Sequence, residues 1–346
     1  MRVLTLFDTV RDGDLVCPEG IEPPTHSLEG CCSIQLSYGQ RGEKELVGAI
    51  GFEPTTLWSQ TRCATRLRYT PTRVVFYRLR YANSRSSATF SCMQAPSLPL
   101  PWLAPGQPFP PAEQAWGTDA PAPGLLAAGG ALDLATLRQA YAHGIFPWFS
   151  AGQPILWWSP DPRMVLPVPA FRLHRSLKKV LQKFRASPGC EIRIDSAFEQ
   201  VIQACASSPR DGQGGTWIVP EMVQAYGALH RAGLAHSVET WIDGQLVGGL
   251  YCVALGRAVF GESMFARATD ASKIALAALV CFCRHHGVKL IDCQQNTRHL
   301  ASLGAREIPR ADFLAQVARA RDEPAPTWRF DPLYWRELLN TTDFPL

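Results

Sequence analysis

"AVFGESMFARATDASKIALAALVCFCRHHGVKLIDCQ", residues 258–294, decides the fold. Its two ends, "AVFGESMF" and "KLIDCQ", are short apolar runs with the composition of strands. Between them, "DASKIALAALVCFCRHHG" starts near Asp270, stays apolar over several turns and stops on a glycine, which is the pattern of one long helix. A helix between two strands implies a crossover, and a crossover implies locally parallel pairing. The second strand closes on an acid, a thiol and an amide, Asp292, Cys293 and Gln294. Ionisable groups carried to a strand end and toward a cleft are a common way to build a site.

Upstream of this unit, "HSVETWI" and "QLVGGLYCVAL" read as strands joined by the turn residues Asp243 and Gly244. Earlier still, "DLATLRQAYAHG" reads as a helix with Asp133 as N-cap, an apolar face of Leu134, Leu137, Ala140 and Tyr141, and Gly144 as its stop. "FEQVIQACA" and "EMVQAYGALHRAG" are amphipathic helices split by the glycine-rich "RDGQGGTWI". The sum is a mixed α/β sheet of acyltransferase type.

In "RLHRSLKKVLQKFR" the residues Leu177, Val180, Leu181 and Phe184 make one stripe. Arg175, Lys178, Lys179, Lys183 and Arg185 crowd the rest without an acid, a face suited to phosphates.

The chain has 346 residues, 46% of them apolar and 18% charged, the composition of a globular protein. No apolar run is long enough for a membrane span and no signal peptide is legible, so a cytoplasmic protein with free thiols is expected. Cys281, Cys283, His285 and His286 invite a metal assignment. Residues two apart on a helix point away from each other, however, and no second ligand cluster follows, so no metal is expected.

Residues 1–92 read differently. "GIEPPTHSLEGCCSIQLSY" from Gly20 and "GFEPTTLWSQTRCATRLRY" from Gly51 repeat with a period of 31 residues, without the three units or the apolar stripe of a solenoid. Gly-Phe-Glu-Pro is compatible with the codons of a transfer-RNA T arm. The expectation is therefore that this extension is disordered or a spurious translation through tandem transfer-RNA genes, with Met93 as the true start. Domains are expected at 93–170 (a smaller N-terminal α+β domain), 171–330 (the catalytic domain) and 331–346 (a tail).

"GLLAAGG", "GIFPWFS", "ILWWSPDPR", "GTWI", "AHSVETW", "LVGGLY", "GESMF", "DASKIAL", "LIDCQ" and "HLASLGAREIPR" occur in one order over nearly all of residues 109–313. Together they resemble the leucyl/phenylalanyl-tRNA–protein transferase family. The resemblance implies a catalytic domain with a GNAT-like (N-acetyltransferase-like) fold. It also implies an enzyme, acting as a monomer, that moves Leu or Phe, less well Met, from aminoacyl-tRNA (Leu-tRNA or Phe-tRNA) to the N-terminal Arg or Lys of acceptor proteins, marking them for N-degron (N-end rule) degradation. No cofactor and no membrane are implied.

An aminoacyl ester is already activated, so such an enzyme has mainly to hold it beside an amine, keep the amine neutral and stabilise the developing oxyanion. By resemblance Asp292 and Gln294 are the catalytic pair, with Asp292 accepting or relaying the proton, Gln294 orienting the amine and Cys293 facing away. Glu262 is the position expected to hold polar groups of the aminoacyl end. Met264, Leu250, Val259, Leu276, Leu279 and Ile291 are candidates for the side-chain pocket, and Trp148 and Trp217 for stacking on the terminal adenosine or shaping that pocket. Trp157 and Trp158 are expected to be structural, and the basic helix to carry the tRNA acceptor stem.

Two rivals remain at this stage. A GNAT-type acyltransferase using acetyl-CoA wants a glycine-rich turn before the long helix, and "ARATDAS" has none. A tRNA-binding module without catalysis is opposed by intact Glu262, Asp292 and Gln294.

Overall fold

The protein was analysed as a computed structural model, which describes residues 99–208 and 218–339 together with the strand backbone at 3–5, 33–40 and 46–53. The chain divides into two compact units. The first comprises residues 1–102, 149–154 and 209–217. In it, β1 (Val3–Thr5) pairs antiparallel with β4 (Pro99–Leu103), and β2 (Ser33–Gln40) with β3 (Leu46–Glu53). The rest of the 1–92 extension, and the expected true start at Met93, lie outside the described residues.

The second unit comprises residues 103–148, 155–208 and 218–346. A small antiparallel sheet is built from β5 (Leu125–Gly129), β6 (Phe146–Pro147) and β7 (Leu156–Trp158), with α1 (Leu134–Ala142) between β5 and β6. Asp133 caps α1 by accepting from the Thr136 amide at 2.7 Å. Gly144 follows the helix with φ +67°, and a Cβ there would stand 2.5 Å from Leu314, so only glycine fits that turn. Leu134 departs from the expected apolar face, being 39% exposed, because it begins the helix before its buried stripe starts.

The remaining strands are β8 (Arg163–Pro167), β9 (Cys190–Ile194), β10 (Ala235–Ile242), β11 (Gln245–Leu255), β12 (Ala258–Ala266), β13 (Leu290–Gln294) and β14 (Arg306–Ile308). They form one sheet in the order β14-β8-β13-β12-β11-β10-β9. Only β12 and β13 pair in parallel, joined through α5 (Ala271–His285) as the crossover rule requires. The hairpin between β10 and β11 turns on Asp243 and Gly244, with φ +49° and +73°.

Helix α5 lies on one face of the sheet together with α2 (Arg175–Ala186). It buries Ile274, Leu276, Leu279, Val280 and Phe282 in the main core. Gly248 of β11 makes that approach possible, since a Cβ there would stand 2.4 Å from the Cβ of Ala271. The other face carries α3 (Phe198–Ser207) and α4 (Pro220–Arg231). Cys281 and Cys283 are both buried within α5, and burial pushes both thiols up, away from the reactive thiolate. Among the described residues no helix is long and apolar enough to cross a membrane.

Candidate active site

The parallel pair β12–β13 is held by two register pairs, Val259 with Ile291 and Phe260 with Asp292. Beyond these, each strand carries one extra residue. On β12, Gly261 opposes Cys252 and Ser263 opposes Tyr251, so Glu262 is left over as a bulge. On β13, Asp292 opposes Val165 and Gln294 opposes Met164, so Cys293 is the extra residue. Bulges re-aim side chains and end pairing. Here they turn Glu262, in the middle of β12, and Gln294, at the C-terminal end of β13, toward one another just beyond the segment where the two strands pair.

Glu262 collects donors from three elements. Tyr141 of α1 donates to its Oε1 at 2.8 Å, Tyr226 of α4 to its Oε2 at 3.1 Å, and the Gln294 amide to Oε1 at 3.0 Å. The two tyrosine hydroxyls also touch each other. Burial pushes the Glu262 carboxyl up to about 7. The Tyr141, Tyr226 and Gln294 hydrogen bonds work against that rise, while the charge of Asp292 adds to it. Burial, reinforced by the Glu262 charge, holds both tyrosines well above their ordinary value, so they stay protonated donors.

Asp292 is 1% exposed. Arg163 of β8 grips it with Nε on Oδ1 at 2.8 Å and Nη2 on Oδ2 at 2.6 Å. Oδ1 also accepts the backbone N–H of Gln294 at 2.9 Å. Gln294 itself has φ +60°, the left-handed region that a non-glycine residue enters only when its surroundings hold it there. The acid is therefore turned inward, toward the guanidinium, and it is the amide that faces Glu262.

The other sequence-derived positions separate into groups. Leu250, Val259, Leu276, Leu279 and Ile291 are buried in one continuous apolar cluster around α5, with Met264 half-buried against it. Trp148 is half-buried, its ring 5.6 Å from and edge-on to Trp158, whose indole donates to the Trp148 carbonyl. Trp157 is buried, with its indole N–H on the Gly129 carbonyl. Trp217 lies outside the described residues. On α2, Leu177, Leu181 and Phe184 are buried, Arg175, Lys179 and Lys183 are exposed, and Lys178 and Arg185 are half-buried.

Sequence reasoning missed Arg163, Tyr141 and Tyr226 as members of the site. Arg163 closes the quoted stretch "ILWWSPDPR", yet its partner Asp292 is 129 positions away. The two tyrosines fit apolar helix faces, and nothing in that periodicity shows where their hydroxyls go. Among the described residues no group of three His, Cys, Asp or Glu side chains could hold a metal ion.

The family described as "Leucyl/phenylalanyl-tRNA protein transferase" matches residues 165–318, and its N-terminal domain matches residues 130–161. Proteins named leucyl/phenylalanyl-tRNA–protein transferase from a Polaromonas species and from Albidiferax ferrireducens are each 69% identical to this chain over 242 residues, covering 70% of it and 95% of the relative. The protein of that name from Leptothrix cholodnii is 63% identical over 243 residues, covering 69% of this chain and 95% of its own. Among solved structures FemX matches at a TM-score of 0.34 and 11% identity, over 51% of this chain and 66% of that one, a likeness too faint to name a fold. The chain belongs to the leucyl/phenylalanyl-tRNA–protein transferase family.

Proposed function

We propose that this enzyme transfers leucine or phenylalanine, and methionine less well, from aminoacyl-tRNA to the N-terminal Arg or Lys of acceptor proteins, marking them for degradation. The observation that carries the chemistry is the hydrogen bond from Gln294 to Glu262 between β13 and β12. A carboxylate only accepts, so the NH2 of Gln294 must face it, and the amide oxygen is left to accept from the attacking amine. Glu262, with its three donors, holds the polar groups of the aminoacyl end. Asp292 backs the amide through the Gln294 backbone and does not meet the substrate.

In the reaction the neutral α-amine forms a bond to the ester carbonyl carbon, and the bond from that carbon to the ribose oxygen breaks. The proton lost by the amine ends on the ribose oxygen, so no side chain keeps it. An α-amine with a pKa of about 8 needs only orientation and modest proton transfer. The apolar cluster beside Met264 is the wall against which a leucine or phenylalanine side chain packs, and a methylene there is worth roughly 1–3 kcal/mol of discrimination. The exposed cations of α2 take the phosphates of the acceptor stem, and Trp148 stacks on the terminal adenosine.

The arrangement of β10 to β13 with α5 as the crossover supports a GNAT-like reading of the large sheet. The acetyl-CoA rival fits poorly. The residue before α5 is Asp270, at φ +61° and ion-paired to Lys273 at 2.8 Å, so an acid stands where a pyrophosphate would need bare N–H groups. The test is transfer of labelled leucine or phenylalanine from its tRNA to a peptide beginning with Arg, by the wild-type chain and by Gln294→Ala. Transfer that is lost in the variant supports the reading; a wild-type chain that transfers nothing refutes it.

A further inference from the structure

Arg163 is the most deeply buried cation described, at 1% exposure. Its guanidinium lies between two aromatic faces, 4.7 Å from the Phe146 ring centroid and 4.5 Å from that of Phe313. Two of its nitrogens hold Asp292, and the third, Nη1, donates to the Gly144 carbonyl at 3.2 Å. Gly144 is the stop of α1, and Tyr141 of that helix donates to Glu262. Asp292 holds the Gln294 backbone, and Gln294 donates to the same Glu262 oxygen. One guanidinium thus joins two supports that meet again at the carboxylate.

We infer that Arg163 is a positioning residue for transfer, setting the placement of Gln294 against Glu262 by bonding Asp292 and the end of α1 together. The inference rests on the reading of Gln294 as the group that meets the amine. A planar fork between two rings reaches three acceptors in fixed directions, whereas an ammonium is a point charge that holds fewer at that geometry. Arg163 has no path to the substrate, so its effect falls on the chemical step and leaves tRNA binding alone.

The experiment compares the full chain with Arg163→Lys and Gln294→Ala, measuring kcat and KM for aminoacyl-tRNA beside a melting curve. The expected result for Arg163→Lys is a folded protein with KM within about twofold of wild type and kcat down by at least about tenfold, the signature of displaced reacting groups. A kcat within about twofold of wild type, or a raised KM at unchanged kcat, overturns the inference. If Arg163→Lys melts below the assay temperature, the double variant Arg163→Gln, Asp292→Asn, which leaves neither buried position charged, is read instead. Folded with kcat lost, it supports the inference. Folded and active, or unfolded as well, it overturns it, because the pair then serves only the fold. Full activity in Gln294→Ala refutes the underlying reading whatever Arg163→Lys does; an inactive Gln294→Ala beside an active Arg163→Lys sinks the inference alone.

Discussion

Gln294 and Glu262 sit on neighbouring parallel strands and meet by one hydrogen bond, amide nitrogen to carboxylate oxygen, at 3.0 Å. The contact fixes which end of the amide faces the carboxylate and which is left free of it, and it does so only while the partner is a carboxylate and the residue is an amide.

Replacing Gln294 by Glu therefore places two carboxylates in contact. The variant is expected to fold, to bind one extra proton near neutral pH, and to lose roughly a hundredfold in kcat, since an oriented acceptor becomes one half of a shared proton. Single-turnover transfer at saturating enzyme is the measurement; wild-type kcat in this variant would remove the amide from the mechanism.

Glu262 makes the pH dependence specific. Its folded value of about 7 lies above the ordinary 4.5, so between those two values the folded chain binds more protons than the unfolded chain. Stability from this group is therefore highest below pH 4.5 and declines as pH rises through 7, by an amount on the order of 3 kcal/mol. Glu262→Gln should flatten that part of the melting-temperature profile. It should also remove the rise in kcat/KM as pH climbs through 7, leaving the limb set by the acceptor amine near pH 8.

Tyr141→Phe and Tyr226→Phe each remove one donor to the Glu262 carboxylate. Both changes favour its neutral form, so each should move the acid limb of kcat/KM upward by roughly one pH unit, and the double variant further. A pH–rate profile unmoved in the double variant would mean that Glu262 takes no part in the observed titration.

On α2, reversing Lys179 and Lys183 to Glu should raise KM for aminoacyl-tRNA by about tenfold at low salt, with a gap that narrows as salt is added and kcat unchanged. Both side chains are exposed, so the fold is unaffected. Equal KM values at every salt concentration would place the acceptor stem elsewhere.

Most of the large sheet was legible in the sequence because its strands are local apolar runs, and α5 because its periodicity is long and its ends are marked. Asp292 and Gln294 were legible as polar residues closing an apolar strand. The use each is put to was not. The inward turn of Asp292 depends on Arg163, which comes from a strand on the other side of β13, and pairing across 129 residues leaves no local trace. Tyr141 and Tyr226 satisfied the apolar stripes of α1 and α4 so well that their hydroxyls drew no notice. Asp270 read as the start of α5 and does directly precede it, but it meets Lys273 instead of capping the helix.

The two bulges, at Glu262 and at Cys293, have an evolutionary consequence. Each is one residue more than its ladder needs, so deleting either would leave a more regular sheet with every other strand partner available. A single-residue deletion at either bulge thus removes the placement of Glu262 against Gln294 while leaving the strand ladder intact. A descendant shortened at either bulge would persist as a well-paired protein, recognisable by one strand a residue shorter than its ancestor's.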